Sequence, residues 1–130
     1  MLDPVNSMRE LEAVHKLGIQ LAIDDFGIGY SSLAYLRQFP VEHLKIDKSF
    51  IIDMRDPKNG AIVRGTVELG HSLGLNVVAE GVEDKAAYTS LKLLGCDQAQ
   101  GYYMSRALPV SAFNGWLSKS KWKAKTAKAI

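Results

Sequence analysis

Short apolar runs alternate along the chain with longer segments in which apolar residues recur every three or four positions. The longer segments have the period of an amphipathic helix, and the short runs have the length of a buried strand. A first helix is predicted from Pro4, with apolar residues at three-residue steps up to Leu17 and an end at Gly18. Residues 19–23 then predict a first strand, which stops at an acidic pair.

The alternation continues through the middle of the chain. Ser31 or Ser32 can cap a short helix that closes before Pro40, and residues 43–46 predict a second strand. An irregular stretch is predicted through residues 56–60. The next helix is predicted to bury one face, formed by Ile62, Val63, Thr66, Val67, Gly70 and Leu73.

Two further strands complete the pattern. Residues 76–79 predict the third strand, and the fourth lies within residues 96–104. Between them, Asp84 can cap a helix that ends at Gly95, and Pro109 starts a closing helix. The buried side of the helix between these two strands is predicted to be Ala87, Tyr88, Leu91 and Leu94.

Strands that alternate with helices at spacings of about 20 to 35 residues are typical of right-handed crossovers in a parallel sheet. The predicted fold class is therefore α/β, with about four parallel strands alternating with helices. A closed (βα) barrel needs about eight strands and about 250 residues, whereas this chain has 130 residues. The pattern thus predicts part of a TIM-type barrel.

Composition excludes the disordered and fibrous classes, because 47% apolar and 23% charged residues are ordinary values for a globular protein. The net charge of +2 has a local source in the last dozen residues. Five lysines crowd that end: Lys119, Lys121, Lys123, Lys125 and Lys128. A solvated, frayed terminus is preferred there over a surface for nucleic acid or for an anionic membrane. We predict a basic, flexible tail over residues 118–130 and no DNA or RNA polymer as partner.

Cysteine content and hydropathy indicate the compartment. The single cysteine, Cys96, excludes an internal disulfide and fits a reducing environment. No apolar run approaches the ~20 residues that a membrane span needs. The expected location is the cytoplasm.

Candidate chemistry lies where the predicted strands end, because reactive groups in parallel α/β folds gather at the carboxyl ends of strands. Six polar residues lie at or near these ends: Asp24, Asp25, Lys45, Asp47, Glu80 and Gln100. Two adjacent carboxylates repel each other unless a cation neutralises them, so Asp24 and Asp25 are candidate ligands for Mg²⁺ or Mn²⁺. The alternative is an acidic pair on a solvated loop.

Three charged residues of the second and third strand ends have open interpretations. Lys45 lies between apolar neighbours in a short strand and needs an anionic partner, which is either the acids of neighbouring strands or Asp47. Glu80 ends an apolar strand as a ligand or a base. Glu83 can cap the following helix or pin a loop.

Four segments in the same order resemble the motifs of EAL domains. Residues 24–33, DDFGIGYSSL, resemble the family's DDFGTGYSSL loop, and residues 44–50, LKIDKSF, resemble its LKIDRSF. Residues 77–83, VVAEGVE, are identical to a family motif, and residues 95–102, GCDQAQGY, match its GCD-x-x-QGY. The chain is identified as similar to the C-terminal half of an EAL domain over residues 1–117.

The resemblance implies a modified TIM-type barrel that hydrolyses cyclic-di-GMP to pGpG with two Mg²⁺ or Mn²⁺ ions. It implies metal ligation by Asp24 and Asp25, and a water- or phosphate-holding role for Lys45. Glu80 would be a ligand or general base.

The remaining matched positions would assist that site. The resemblance places Gln100 beside it, with Glu83 and Asp47 in supporting positions.

The sequence also departs from the family pattern. The Glu-Ala-Leu signature is absent, and the asparagine and glutamate of the earlier strands have no counterpart before Asp24. Ile28 replaces the usual threonine of the loop. Loss of three oxygen donors should weaken metal binding, so hydrolysis by this chain alone is not expected. Exposed strand edges predict self-association. The alternative is a non-catalytic module that binds cyclic-di-GMP or a protein.

Overall fold

A four-stranded parallel sheet organises the chain in this computed structural model, which describes residues 4–28 and 33–122. The strands lie side by side in chain order and are β1 (Ala22–Phe26), β2 (His43–Ile46), β3 (Asn76–Glu80) and β4 (Gln98–Gln100). The helices are α1 (Pro4–Lys16), α2 (Leu33–Gln38), α3 (Lys48–Ile52), α4 (Pro57–Ser72), α5 (Lys85–Leu93) and α6 (Val110–Lys119). The predicted α/β class, with four parallel strands alternating with helices, is confirmed.

The core lies between the two central strands and α4. Leu44 and Ile46 of β2 and Val77 and Ala79 of β3 are fully buried. Because side chains alternate along a strand, these residues share the face that packs against the helices, and the residues between them face the other way. The core residues form two clusters, one around Ile46, Ile51, Val63, Val67, Val77, Ala79, Val82 and Leu91 and a smaller one around Leu36, Leu44 and Leu75.

Three helices begin at aspartate caps. The Asp47 carboxylate accepts a hydrogen bond from the Ser49 N–H at 2.8 Å, at the start of α3. Asp56 accepts from the Lys58 and Asn59 N–H groups, and Asp84 accepts from that of Ala87 at 2.8 Å. Each carboxylate satisfies N–H groups that the first helical turn leaves unpaired. The predicted cap at Asp84 is confirmed.

The first strand differs from its prediction. It was expected at residues 19–23 but spans Ala22–Phe26, so the acidic pair lies inside it. The reason is long-range: the Leu21 N–H donates to the Glu42 carboxylate at 2.7 Å instead of to the ladder. The β1–β2 register is then irregular between Ile23 and Phe26.

The helices show two further differences. The predicted irregular stretch at residues 56–60 is wrong, because α4 begins at Pro57. Of its predicted face, Ile62 and Leu73 are exposed, while Val63, Thr66, Val67 and Gly70 are buried. The short helix α3 was not predicted. In α5, Leu91 is buried as predicted, and Ala87, Tyr88 and Leu94 pack against the core at partial burial.

The predicted caps Ser31 and Ser32 lie outside the described residues, as do the lysines Lys123, Lys125 and Lys128. None of the helices in the described ranges is long and apolar enough to cross a bilayer.

Gly70 sets how closely α4 approaches the sheet. A Cβ atom at this position would collide with Cγ2 of Val77, whereas a Cβ at Gly65, on the same helix, would have nothing within 4 Å. Alanine favours a helix over glycine by about 1 kcal/mol. Alanine at Gly65 should therefore change only the helix propensity, whereas alanine at Gly70 should also disturb the packing of α4 on β3.

We expect Gly70→Ala to lower the free energy of unfolding by about 1 to 3 kcal/mol, because the added methyl overpacks the α4–β3 contact. Gly65→Ala should raise it by up to about 1 kcal/mol. Urea unfolding followed by circular dichroism measures both. Equal effects of the two changes would contradict the close contact.

Asp97 ties α4, β3 and the start of β4 together. Its Oδ2 accepts a hydrogen bond from the Val77 N–H at 2.7 Å and lies 2.7 Å from His71 Nε2. Burial alone raises the pKa of this carboxyl, but the Val77 hydrogen bond and His71 outweigh it, and the net pKa is lowered. The folded chain thus favours the ionised form.

We expect Asp97→Ala to cost about 1 to 3 kcal/mol, since the N–H of fully buried Val77 loses its acceptor. A lowered folded-state pKa means that this contribution is complete above the ordinary carboxyl pKa of 3.8 and is lost as the pH falls through the folded value. The free energies of unfolding of the unaltered chain and of Asp97→Ala should therefore approach each other as the pH is lowered, which unfolding at a series of acidic pH values measures. A constant difference would contradict this account.

Candidate metal centre

The carboxyl ends of the strands bring the predicted polar residues to one edge of the sheet. Lys45 of β2 faces away from Leu44 and Ile46, which lie in the core. The parallel register places Glu80 of β3 directly beside Gln100 of β4. Asp24 and Asp25 reach the same edge from β1.

Lys45 is the cation at the centre of this edge. Its Nζ lies 2.7 Å from Glu80 Oε1 and 3.8 Å from Asp24 Oδ2. The hydrogen bond with Glu80, aided by the nearby acids, raises the pKa of Lys45 although partial burial opposes it. The predicted anionic partner of Lys45 was either the acids of neighbouring strands or Asp47, and the structure shows the acids of neighbouring strands. The Asp47 carboxylate instead caps α3 through the Ser49 N–H.

An irregular backbone brings both members of the acidic pair to the cluster. Asp25 has a φ of +52°, in the left-handed region that non-glycine residues rarely adopt. This interrupts the alternation that would send adjacent side chains to opposite faces. Carboxylate oxygens of Asp24, Asp25 and Glu80 can all lie within 4.8 Å of one another. The three acids therefore form one cluster.

The acids raise the electrostatic cost of this arrangement. The pKa of Asp25 is raised, first by a hydrogen bond with the Asp47 side chain and then by repulsion from Asp24. The pKa of Asp47 is lowered, chiefly by hydrogen bonds from Ser49. The two neighbouring carboxyls, Asp25 and Asp47, therefore differ in the direction of their pKa shifts.

An open cavity of about 390 Å³ adjoins the three acids. Its lining includes Asp25 and Glu80 together with the predicted supporting residues Gln100, Glu83 and Asp47. All seven predicted site residues therefore lie around one cluster and its cavity.

Besides two glycines, two residues that were not singled out from the sequence line this cavity. They are Lys48 and Tyr102. Both lie in the matched motifs LKIDKSF and GCD-x-x-QGY, which was the signal available. Lys48 adds a second positive charge near the acids, and Tyr102 adds an aromatic ring.

The donor set fits a divalent metal ion. Asp24, Asp25 and Glu80 offer hard carboxylate oxygens, which Mg²⁺, Mn²⁺ and Ca²⁺ prefer. Three protein donors would leave coordination positions of a six-coordinate ion for water or for a phosphate. A cation would also offset the repulsion from Asp24, which adds to the Asp47 hydrogen bond in raising the pKa of Asp25.

Comparison with known proteins gives one consistent result. The family model described as EAL domain matches residues 3–107. The signaling protein YkoW of Bacillus subtilis is 45% identical over 118 residues, which are 89% of this chain and 15% of YkoW. The bifunctional diguanylate cyclase/cyclic di-GMP phosphodiesterase MucR of Pseudomonas aeruginosa is 44% identical over 110 residues, 84% of this chain and 16% of MucR.

A solved structure of the MucR phosphodiesterase in complex with c-di-GMP superposes with a TM-score of 0.82 at 43% identity. The match covers 87% of this chain and 46% of that one. The chain therefore spans about half of the MucR phosphodiesterase structure, and about one sixth of MucR itself.

Replacing Lys45 by methionine should strengthen the binding of a divalent cation to the three acids. The reason is that the positively charged ammonium group repels a cation that binds the same carboxylates. Two unit charges about 4 Å apart near a protein surface interact by about 1 to 4 kcal/mol, so the Mn²⁺ dissociation constant should fall roughly tenfold. Isothermal titration with Mn²⁺ measures it.

The matched control is Lys45→Met combined with Glu80→Gln, which removes one ligand and should reverse the gain. Unchanged or weaker Mn²⁺ binding by Lys45→Met alone would show that Lys45 does not compete with the ion.

Proposed function

The chain belongs to the EAL domain family, and from this premise we propose that its acidic cluster is one half of a divalent-metal site for the hydrolysis of cyclic-di-GMP. Relatives in this family are cyclic-di-GMP phosphodiesterases. The four-motif resemblance is confirmed, and so is the partial TIM-type barrel, since the structural neighbours have that barrel-like fold. The chain corresponds to only part of the domain.

One observation carries the proposal. Asp24, Asp25 and Glu80 come from two separate strands, yet their carboxylate oxygens can lie within 4.8 Å of one another around Lys45. Such a concentration of acids at the carboxyl ends of parallel strands supports a site for a cation and a phosphodiester.

We assign roles to the residues from this geometry. Asp24, Asp25 and Glu80 would hold Mg²⁺ or Mn²⁺, which when bound supplies an activated water and neutralises phosphate charge. Lys45, charged and only partly exposed, would orient the phosphate or the water. Gln100, which is in register with Glu80, would hold the other side of the substrate.

Two acidic residues have supporting roles in this proposal. Asp47, whose carboxylate accepts from the Ser49 N–H and which lines the same cavity as Asp25, would fix the wall of the cavity beside it. Glu83 would line the cavity beside Glu80.

Hydrolysis by these 130 residues alone should be very slow. The sequence contains neither the Glu-Ala-Leu signature nor counterparts of the two other upstream ligands. Asp24 remains 60% exposed at its side chain, so water competes for the site. Two-metal chemistry needs both ions held on the attacking and leaving oxygens, which three carboxylates do not secure.

A second chain would complete the sheet. Within the described residues, β1 and β4 each have one strand neighbour, and their outer edges present unpaired backbone groups. We propose that the chain self-associates through these edges. The single cysteine supports a reducing, cytoplasmic setting for it.

A second candidate function is binding without hydrolysis. The open cavity beside Lys48, Gln100 and Tyr102 favours it, because a cation, an amide and an aromatic ring can hold a nucleotide without a complete metal site. In this case the chain would bind cyclic-di-GMP or a protein partner as a regulatory module.

Incubation of the purified chain with cyclic-di-GMP and Mg²⁺ or Mn²⁺ tests the proposal. We expect no pGpG by chromatography above the background of an Asp24→Asn variant, together with Mn²⁺ binding that this variant loses. Light scattering on the same samples reports the oligomeric state. Turnover that Asp24→Asn abolishes would show that the chain completes its own site by association. Mn²⁺ binding unchanged in the variant would remove the metal assignment.

A further inference from the structure

Trp122 joins the C-terminal segment to the matched part of the domain. The family match ends at residue 107, so Trp122 lies 15 residues beyond it (122 minus 107). Its ring packs edge-on against Tyr88 of α5 and Tyr103 after β4, with centroid distances of 5.0 Å and 5.4 Å. The two tyrosine rings are 5.6 Å apart. These three side chains, the three-ring cluster, are one contact unit.

Tyr103 belongs to a loop that is hydrogen-bonded to the wall of the acidic cavity. Its N–H donates to the Val82 carbonyl at 3.0 Å, and the Val82 N–H donates to the Gln100 carbonyl at 3.1 Å. Val82 is fully buried, and a Cβ at Gly101 would collide with its backbone. The loop after β3 and the loop after β4 are therefore fastened together beside Tyr103.

These loops and the strand ends before them form one side of the cavity, through Glu80, Gly81, Gln100, Gly101 and Tyr102. A path of direct contacts thus leads from the Trp122 ring to Tyr103, then to Val82, and from there to Gln100. Its three steps are one ring contact and two backbone hydrogen bonds.

The segment that carries Trp122 has its own local contacts. The Trp122 N–H donates to Ser120 Oγ at 3.1 Å, and the Ser120 N–H donates to the Trp116 carbonyl at 2.8 Å. Lys121 Nζ lies 4.8 Å from the Trp122 ring and 5.3 Å from the Tyr103 ring, within cation–π range. None of the ten residues of α6, all within the described part of the chain, is fully buried. The half-buried Trp122 ring is therefore the main anchor of this segment on the domain.

We propose that Trp122 is a positioning residue, which acts through Tyr103 to hold the loop over residues 101–105 against the loop after β3 and so fixes one wall of the acidic cavity. The role follows from packing and hydrogen bonds alone and does not depend on metal binding or hydrolysis. It assigns a structural task at the site to a part of the chain outside the family match.

Hydrogen exchange with mass spectrometry on Trp122→Ala tests the proposal. We expect amides in residues 81–84 and 100–106 to exchange about tenfold faster, because two edge-on ring contacts and the burial of the ring are lost. Amides of β2, over residues 43–46, should keep the exchange rates of the unaltered chain. Trp122→Phe keeps an aromatic ring and should restore most of the protection.

Trp116→Ala is the matched control, because Trp116 is the other tryptophan, lies in the same segment and stacks on Phe113 outside the three-ring cluster. It should leave exchange of the cavity loops unchanged. Unaltered loop exchange in Trp122→Ala would overturn the proposal. Equal acceleration in β2 would also overturn it, since Trp122 would then stabilise the whole chain. If Trp116→Ala accelerated amide exchange in the cavity loops to the same extent, α6 and not Trp122 would hold the cavity wall.

Discussion

The ammonium group of Lys45 allows three carboxylates to share one edge of a small sheet. Asp24, Asp25 and Glu80 carry like charges, and after the Asp47 hydrogen bond the repulsion from Asp24 is the next cause that raises the pKa of Asp25. A single cation 2.7 Å from Glu80 and 3.8 Å from Asp24 offsets much of it. Without that cation, the strands that carry the acids would bring like charges together with no opposite charge in the cluster. The geometry of the site and the pairing of β1, β2 and β3 are therefore linked through one side chain.

The opposite face of the same strands is apolar and packs against the helices. Leu44, Ile46, Val77 and Ala79 are fully buried against helices, and Gly70 allows α4 to approach β3 at contact distance. Burial of these side chains stabilises the sheet by about 1.5 to 3 kcal/mol for each of the larger ones. Lys45 lies between Leu44 and Ile46 in β2. Because those two side chains are packed against the helices, the Lys45 side chain is held on the opposite face of the sheet. The apolar face thus positions the polar one.

The sequence was sufficient where local chemistry decides the structure. The alternation of Leu44, Lys45 and Ile46 predicted both the strand and the outward lysine, and Asp84 predicted a helix start. It was insufficient where a distant residue decides. The start of β1 depends on Glu42 accepting the Leu21 N–H, and the convergence of the acidic pair depends on the left-handed backbone of Asp25. Neither can be inferred from the spacing of residues along the chain. The five-residue helix α3 is too short to show a period.

Lys45 also bears on why a half site would be a poor catalyst. A lysine ammonium and a divalent ion compete for the same carboxylates, and the outcome depends on how many oxygen donors surround them. Two carboxylates, those of Glu80 and Asp24, already pair with the lysine, whereas a metal ion gains most from six or more oxygens and loses its hydration to reach them. On the proposed function, each donor added from a neighbouring strand would favour the divalent ion, and Lys45 would then be free to contact the phosphate. On that proposal, completion of the barrel would therefore change the role of Lys45 as well as the number of ligands.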